Sequence, residues 1–189
     1  MPTSAQSRSQ LLMLLLASEG FQGQKGEAIQ GTTRLQKLLF LLEHEAKLVP
    51  GTGAGFEFTA WKFGPVSKEL YDDLEKLENL GLLESEGVAM SSATELDEYG
   101  LSFDDLMGEE ETQSKDNLEE KRYALTSAGL KWVQSHIDPK RDKDILEKIR
   151  RIKTKYGALS LQDLLHYVYT KYPDMTTASE IKDKVLRRK

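Results

Sequence analysis

The sequence predicts a mainly α fold with a small antiparallel β wing (α+β), completed by a helical C-terminal extension. Three observations predict it. Apolar residues recur at helical spacing along most of the chain, two short β-type runs flank an acidic stretch, and the last third shows no strand alternation. An apolar share of 39% supports a core, and 189 residues suit one domain with an appendage or two small ones.

The first helix is expected over Arg8 to Glu19. Its run from Leu11 to Ala17 is the longest uninterrupted apolar stretch and is too short to cross a bilayer. Arg8 ahead of it resembles a signal-peptide start, but Ala17-Ser18-Glu19 is a poor cleavage site, so the run reads as a buried helix. A Gly- and Gln-rich connection follows, through Gln30. The second helix is expected to open at Thr33, whose hydroxyl can cap while Gln36 reaches back. Leu35, Leu38, Leu39, Leu42 and Ala46 then form one apolar face. Pro50 to Gly55 reads as a loop, and the alternation around Phe56 and Phe58 as a short strand.

Gly64-Pro65 is expected to break that strand, with Pro65 at the first position of a third helix, where its missing N–H is tolerated. Val66, Leu70, Leu74 and Leu77 supply its stripe, and Gly81 its left-handed stop. Leu82 to Glu86 and Lys121 to Leu125 read as strands, and Ser127 to His136 as a helix carrying Leu130, Trp132 and Val133. Residues 87–120 between the strands read as an enlarged, mobile wing, because Gly, Ser, Thr and acids dominate without period. Asp138-Pro139-Lys140-Arg141 reads as a linker. It divides a domain over 1–137 from a three-helix extension over 138–189. In the extension Ile145, Ile149, Ile152 and Tyr156 mark one helix. Ser160 with Asp163 opens a second over Leu161, Leu164, Leu165 and Val168, and Tyr172-Pro173 ends it. Thr177 with Glu180 is expected to cap a third, through Leu186.

Helix, helix, strand, helix, two wing strands and a closing helix is a winged-helix order. Two stretches carry a more particular likeness. Leu77-Glu78-Asn79-Leu80-Gly81-Leu82-Leu83-Glu84 with Arg122-Tyr123-Ala124-Leu125-Thr126-Ser127-Ala128-Gly129 resembles the recognition-helix end and wing closure of PadR-like regulators. Arg34-Leu35-Gln36-Lys37-Leu38-Leu39-Phe40-Leu41-Leu42 with Trp61-Lys62-Phe63-Gly64-Pro65-Val66-Ser67 resembles the SocA-like (Panacea) antitoxin domain and allied bacterial winged-helix proteins. The likeness covers about residues 30–136. It implies a bacterial or phage regulatory protein that is not an enzyme and acts on DNA, on a toxin-like or regulatory protein partner, or on both.

Charge divides those alternatives. The net charge is −5, yet residues 91–120 hold eleven acids and one lysine, so the remainder is positive by about the same amount. From Lys140 to Lys189 fourteen basic residues face seven acids. Nucleic-acid contacts are therefore expected from Arg34 and Lys37 in the second helix, from Lys62, Ser67, Lys68 and Tyr71 around the third, and from Arg150, Arg151 and Lys153 in the tail. Against this, Glu69, Asp72, Asp73, Glu75 and Glu78 outnumber Lys68 and Lys76 on the third helix, which phosphates would repel. DNA binding is placed first and protein-partner binding close behind. Tyr99, Phe103 and Leu106, interleaved with acids, are the candidate partner contacts of the wing. Trp61, Phe63 and Pro65 read as core aromatics and a proline around a turn.

Enzyme chemistry finds no footing. Gly51, Gly53 and Gly55 lack a following Gly-Lys-Ser/Thr, His44, His136 and His166 are scattered, and there is no cysteine. Glu109-Glu110-Glu111 lacks the turn glycine and spacing of a calcium loop. No catalytic residue, metal or cofactor is expected. The cytoplasm is the expected compartment, without a membrane association, and pairing into a homodimer is compatible with the terminal helices.

Overall fold

The computed structural model describes residues 7–48, 55–89 and 119–187. Among them are seven helices, five short strands and one 3₁₀ turn, an α+β architecture as the pattern predicts. The order is α1 Arg8–Ala17, β1 Ile29–Gln30, α2 Thr32–His44, β2 Thr59–Trp61, β3 Gly64–Val66, α3 Glu69–Asn79, β4 Leu83–Ala89, β5 Glu119–Leu125, α4 Ser127–His136, α5 Lys143–Gly157, α6 Leu161–Lys171, the 3₁₀ turn Pro173–Thr176, and α7 Lys182–Leu186.

α2 is the axis of the molecule. Every residue from Leu35 to Glu43 is buried, polar ones included, so the helix is enclosed all round rather than on one stripe. α5, α6, β1 and β3 pack around it, while α1, buried from Leu11 to Leu16, contacts α3, α4, α5 and β5. The residues expected on the buried faces of α5 and α6 lie in the same core cluster as those of α1 and α2. Leu164 and Val168 are fully enclosed there, in one cluster with Leu38 and Leu42 of α2, more than a hundred positions earlier.

β4 pairs antiparallel with β5 from Leu83↔Leu125 to Ala89↔Glu119, and β1 adds to the other edge of β5 through Ile29↔Tyr123. β1 carries no periodic signal in its two residues. Pairing extends the strands to Ala89 and Glu119, so residues 87–89 and 119–120 belong to the ladder. The rest of the predicted wing lies outside the described residues.

Several local expectations are corrected. Thr33 does not cap α2, whose N-cap is Gly31 with a positive φ of 89° and no side-chain cap; Gln36 is drawn to Ser67 instead. The strand expected at Phe56 and Phe58 starts later, at Thr59. Glu43 takes the Phe56 N–H at 2.8 Å, and Phe58 sits edge-on to Phe40, so this segment is held by α2 rather than by a ladder. Pro65 lies in β3 rather than opening α3, paired with Ala60 in a tight hairpin turned at Lys62-Phe63. Thr177 does not cap the last helix, which follows Ile181 and begins only at Lys182.

Other readings hold. Gly81, at φ +66°, ends α3 with the paired bonds of a Schellman stop: Leu82 N–H to Leu77 O and Gly81 N–H to Glu78 O. The Ser160 hydroxyl accepts from the Asp163 N–H and caps α6. Of the three residues expected to be buried around the hairpin turn, Phe63 and Pro65 are, but Trp61 is 49% exposed because its strand turns that side outward.

Candidate partner-binding surface

The best-organised outward surface is the solvent side of α3, and buried polar residues of α2 set its position. The Gln36 side chain bonds the backbone of Ser67 twice, donating to its carbonyl at 2.9 Å and accepting its N–H at 3.0 Å. At the next residue, the Lys37 ammonium donates to the Pro65 carbonyl at 3.0 Å with no solvent exposure, and burial pushes its pKa down to about 7. Ser67 Oγ then donates to Glu69 at the start of α3, holding that carboxyl below its usual range. At the far side, buried Asp73 accepts from Ser9 Oγ at 2.7 Å and Arg8 Nε at 3.2 Å, tying α3 to α1. The entry and middle of α3 are thus pinned by specific bonds beneath its solvent side.

That face presents Lys68, Tyr71, Asp72, Glu75, Lys76, Asn79 and Leu80. Tyr71 is 43% exposed and Leu80 61%, two of the five large apolar side chains most open to solvent among the described residues. Asp72, Glu75, Lys76, Asn79 and Leu80 line a shallow depression of about 430 Å³. Exposed or half-exposed Glu69, Asp72, Glu75 and Glu78 outnumber Lys68 and Lys76, so the face is negative where phosphate recognition needs the opposite. Acids around exposed apolar side chains suit a basic or amphipathic protein surface instead.

The nine residues expected to meet nucleic acid are not brought together. Lys37 and Ser67 are fully buried and act as the struts just described. Lys153 is 2% exposed. Its ammonium donates to the carbonyls of Leu16 at 3.0 Å, Ser18 at 2.8 Å and Glu27 at 2.6 Å, closing the end of α1 against the loop after it. Burial lowers its pKa to about 8. In this fold both lysines are buried and donate to backbone carbonyls. Arg34 is half-buried and donates to the Leu159 carbonyl at 2.6 Å. Half-exposed Lys62 meets Glu180 at 3.5 Å. Lys68 and Tyr71 lie on the α3 face, whereas Arg150 and Arg151 are exposed on α5. Tyr99, Phe103 and Leu106 lie outside the described residues.

The sequence reading missed one cluster. Glu45, just past α2, accepts from Tyr156 at 2.5 Å, Tyr167 at 2.7 Å and Lys171 at 3.0 Å. Lys155 donates to Tyr156 Oη at 2.9 Å. Burial alone would raise the Glu45 carboxyl, but these donors outweigh it and hold it below its usual range. The cluster clasps α2 to α5 and α6. Its members lie more than a hundred positions apart in part, so spacing gives no signal.

His44 stacks on Phe40 and meets its carbonyl at 3.1 Å, His136 stacks on Trp132, and His166 meets the Val185 carbonyl at 2.9 Å. Among the described residues no group of three or more His, Cys, Asp or Glu is arranged to hold a metal ion, and no helix is long and apolar enough to cross a membrane.

Residues 35–173 match the family model described as antitoxin SocA-like, Panacea domain. The match runs from α2 through α6, beyond the stretch on which the sequence likeness rests. No curated protein matches the chain.

Proposed function

Because the chain belongs to the SocA-like, Panacea-domain antitoxin family, we propose that it is a non-enzymatic, antitoxin-like protein of the bacterial or phage cytoplasm that binds a toxin-like protein partner. It does so on a winged-helix-type frame whose third helix serves protein recognition rather than the major groove. The observation that carries this reading is the outer face of α3, where Tyr71 and Leu80 are exposed among an excess of acids. A recognition helix docked on DNA would bring those acids against phosphate.

The test is a growth selection. A library of genomic fragments from the source organism is introduced into cells with and without the chain. The reading expects fragments that arrest growth alone and are tolerated when the chain is present, with a product that co-purifies with it. Tyr71→Ala combined with Leu80→Ala should lose both effects while the variant stays folded at the growth temperature by circular dichroism, with the lower Tm that follows from losing the partly buried Tyr71 and its hydroxyl's bond to Gln36. Absence of any such fragment, or full protection by the double variant, overturns the reading.

A second reading, DNA binding, draws on α5. Arg150 and Arg151 are exposed there without an ion pair to another described residue, while Lys143 and Lys148 are answered by Glu147 and Asp144. Anisotropy of mixed-sequence duplex DNA at two salt concentrations separates the two readings. Salt-sensitive binding lost on Arg150→Gln with Arg151→Gln supports DNA contact, and no binding at low salt removes it.

A further inference from the structure

The three-stranded sheet runs β1-β5-β4, so β4 is an edge, and no described residue pairs with its outer side. The phase of the ladder identifies which groups point outward. Residues of an antiparallel pair alternate between those that exchange bonds and those that do not. The Thr126 N–H donates to the Leu82 carbonyl at 3.1 Å, so Leu82 faces β5 with its backbone. Alternation from there makes Glu84, Glu86 and Val88 bond β5. Leu83, Ser85 and Gly87 then turn their N–H and C=O groups away from it. The opposite edge of β5 agrees: Lys121, across from Gly87, gives its carbonyl to the Gly31 N–H at 2.9 Å on the β1 side.

This edge is acidic and continuous with α3. Glu84 and Glu86 are exposed on one face of β4, the second 3.6 Å from Arg122. Only Leu80, Gly81 and Leu82 separate the strand from α3, and Leu80 is the most exposed of the large apolar side chains at that junction. A second copy of the chain is a poor occupant. Edge-to-edge pairing of two β4 strands would set Glu84 and Glu86 against the same acids, and like charges facing across strands destabilise a pair.

We propose that β4 receives an extended, lysine- or arginine-bearing segment of the protein partner as an added strand. Its backbone bonds Leu83, Ser85 and Gly87, its basic side chains face Glu84 and Glu86, and an apolar side chain covers Leu80. This rests on the protein-partner reading and names the chemistry of what is bound.

The probe is a fluorescein-labelled ten-residue peptide of alternating lysine and valine, compared with the same peptide N-methylated at every valine. In an antiparallel addition with lysine opposite Glu84 and Glu86, the valines face Ser85 and Gly87, so methylation blocks pairing and leaves charge unchanged. Anisotropy should show the unmethylated peptide binding at least about tenfold more tightly. In the full chain its binding should slow amide hydrogen exchange at Leu83, Ser85 and Gly87. Ser85→Pro removes an outward N–H without a ladder bond to β5, and should erase the contrast between peptides. Equal binding of the two peptides, or unchanged exchange at those amides, overturns strand addition; the exchange result needs no variant to fold. The growth selection, run on the wild type and on Ser85→Pro, keeps the two readings apart. Equal protection by both means strand addition is wrong and the antitoxin reading stands. If the wild type protects against nothing while the peptide contrast holds, the antitoxin reading fails and the edge site stands.

Discussion

Lys37→Met should make the protein more stable at neutral pH. The ammonium lies inside α2 with no exposure, and its acceptor is the Pro65 carbonyl at 3.0 Å. Burial takes its pKa from 10.5 to about 7. At ~1.4 kcal/mol per pH unit, the unfolded chain's preference for the charged form costs the fold on the order of 4 kcal/mol at neutral pH. Methionine fills nearly the same space and removes that cost. It leaves the Pro65 carbonyl without its donor, a loss of about 1–3 kcal/mol. The difference is a gain on the order of 1–3 kcal/mol, or a Tm several degrees higher. The sign in pH follows from the lowered value. Below about pH 7 both states hold the proton and the penalty is complete; from there to 10.5 the unfolded chain still binds a proton that the folded chain has released. Wild-type stability should therefore climb with pH across that window, and the climb should be shallower in the variant. Calorimetry of both proteins at about pH 6.5 and about pH 9.5 measures each effect. A variant less stable than the wild type at neutral pH, or a wild type whose Tm does not rise, would refute the reasoning.

Other perturbations should move the opposite way. Lys153→Met leaves the carbonyls of Leu16, Ser18 and Glu27 without their shared donor, so, unlike Lys37→Met, it should lower the Tm, and it should speed amide exchange across residues 18–27. Gly64→Ala places a methyl 2.8 Å from Tyr169 Cε1 at a φ of +83°; denaturant unfolding should show a loss of about 1–3 kcal/mol. Leu164→Ala in α6 should cost ~2–5 kcal/mol in a single cooperative transition, because its side chain shares the core with α1 and α2. Two separate transitions would contradict that shared core.

Much of the fold is readable from local pattern because its causes are local. The Leu161, Leu164, Leu165 and Val168 face, the Ser160 cap and the Gly81 stop each depend on residues within a turn or two, and each is found where expected. The errors share a cause as well. Thr33 with Gln36 and Thr177 with Glu180 have capping spacing, but Gln36 is taken by Ser67, thirty-one positions away. Pro65 has the φ for a helix start, yet Lys37 and Gln36 hold its segment extended. In each case a partner distant in sequence outbids a weak local preference.

The candidate site shows the same division. Residue type and spacing were enough for an amphipathic α3 with an acidic outer side, an acidic stretch between paired strands, and a basic tail. They could not tell a solvated cation from a buried one. Arg151 and Lys153 stand two positions apart on α5, but one is exposed and the other closes the end of α1. An ammonium is retained inside only where carbonyls from other elements converge to satisfy it, and that convergence exists only after the chain has packed. That β4 has no strand partner on its outer side among the described residues likewise follows from where β1 and β5 come to lie, which depends in part on their contacts with α1 and α2.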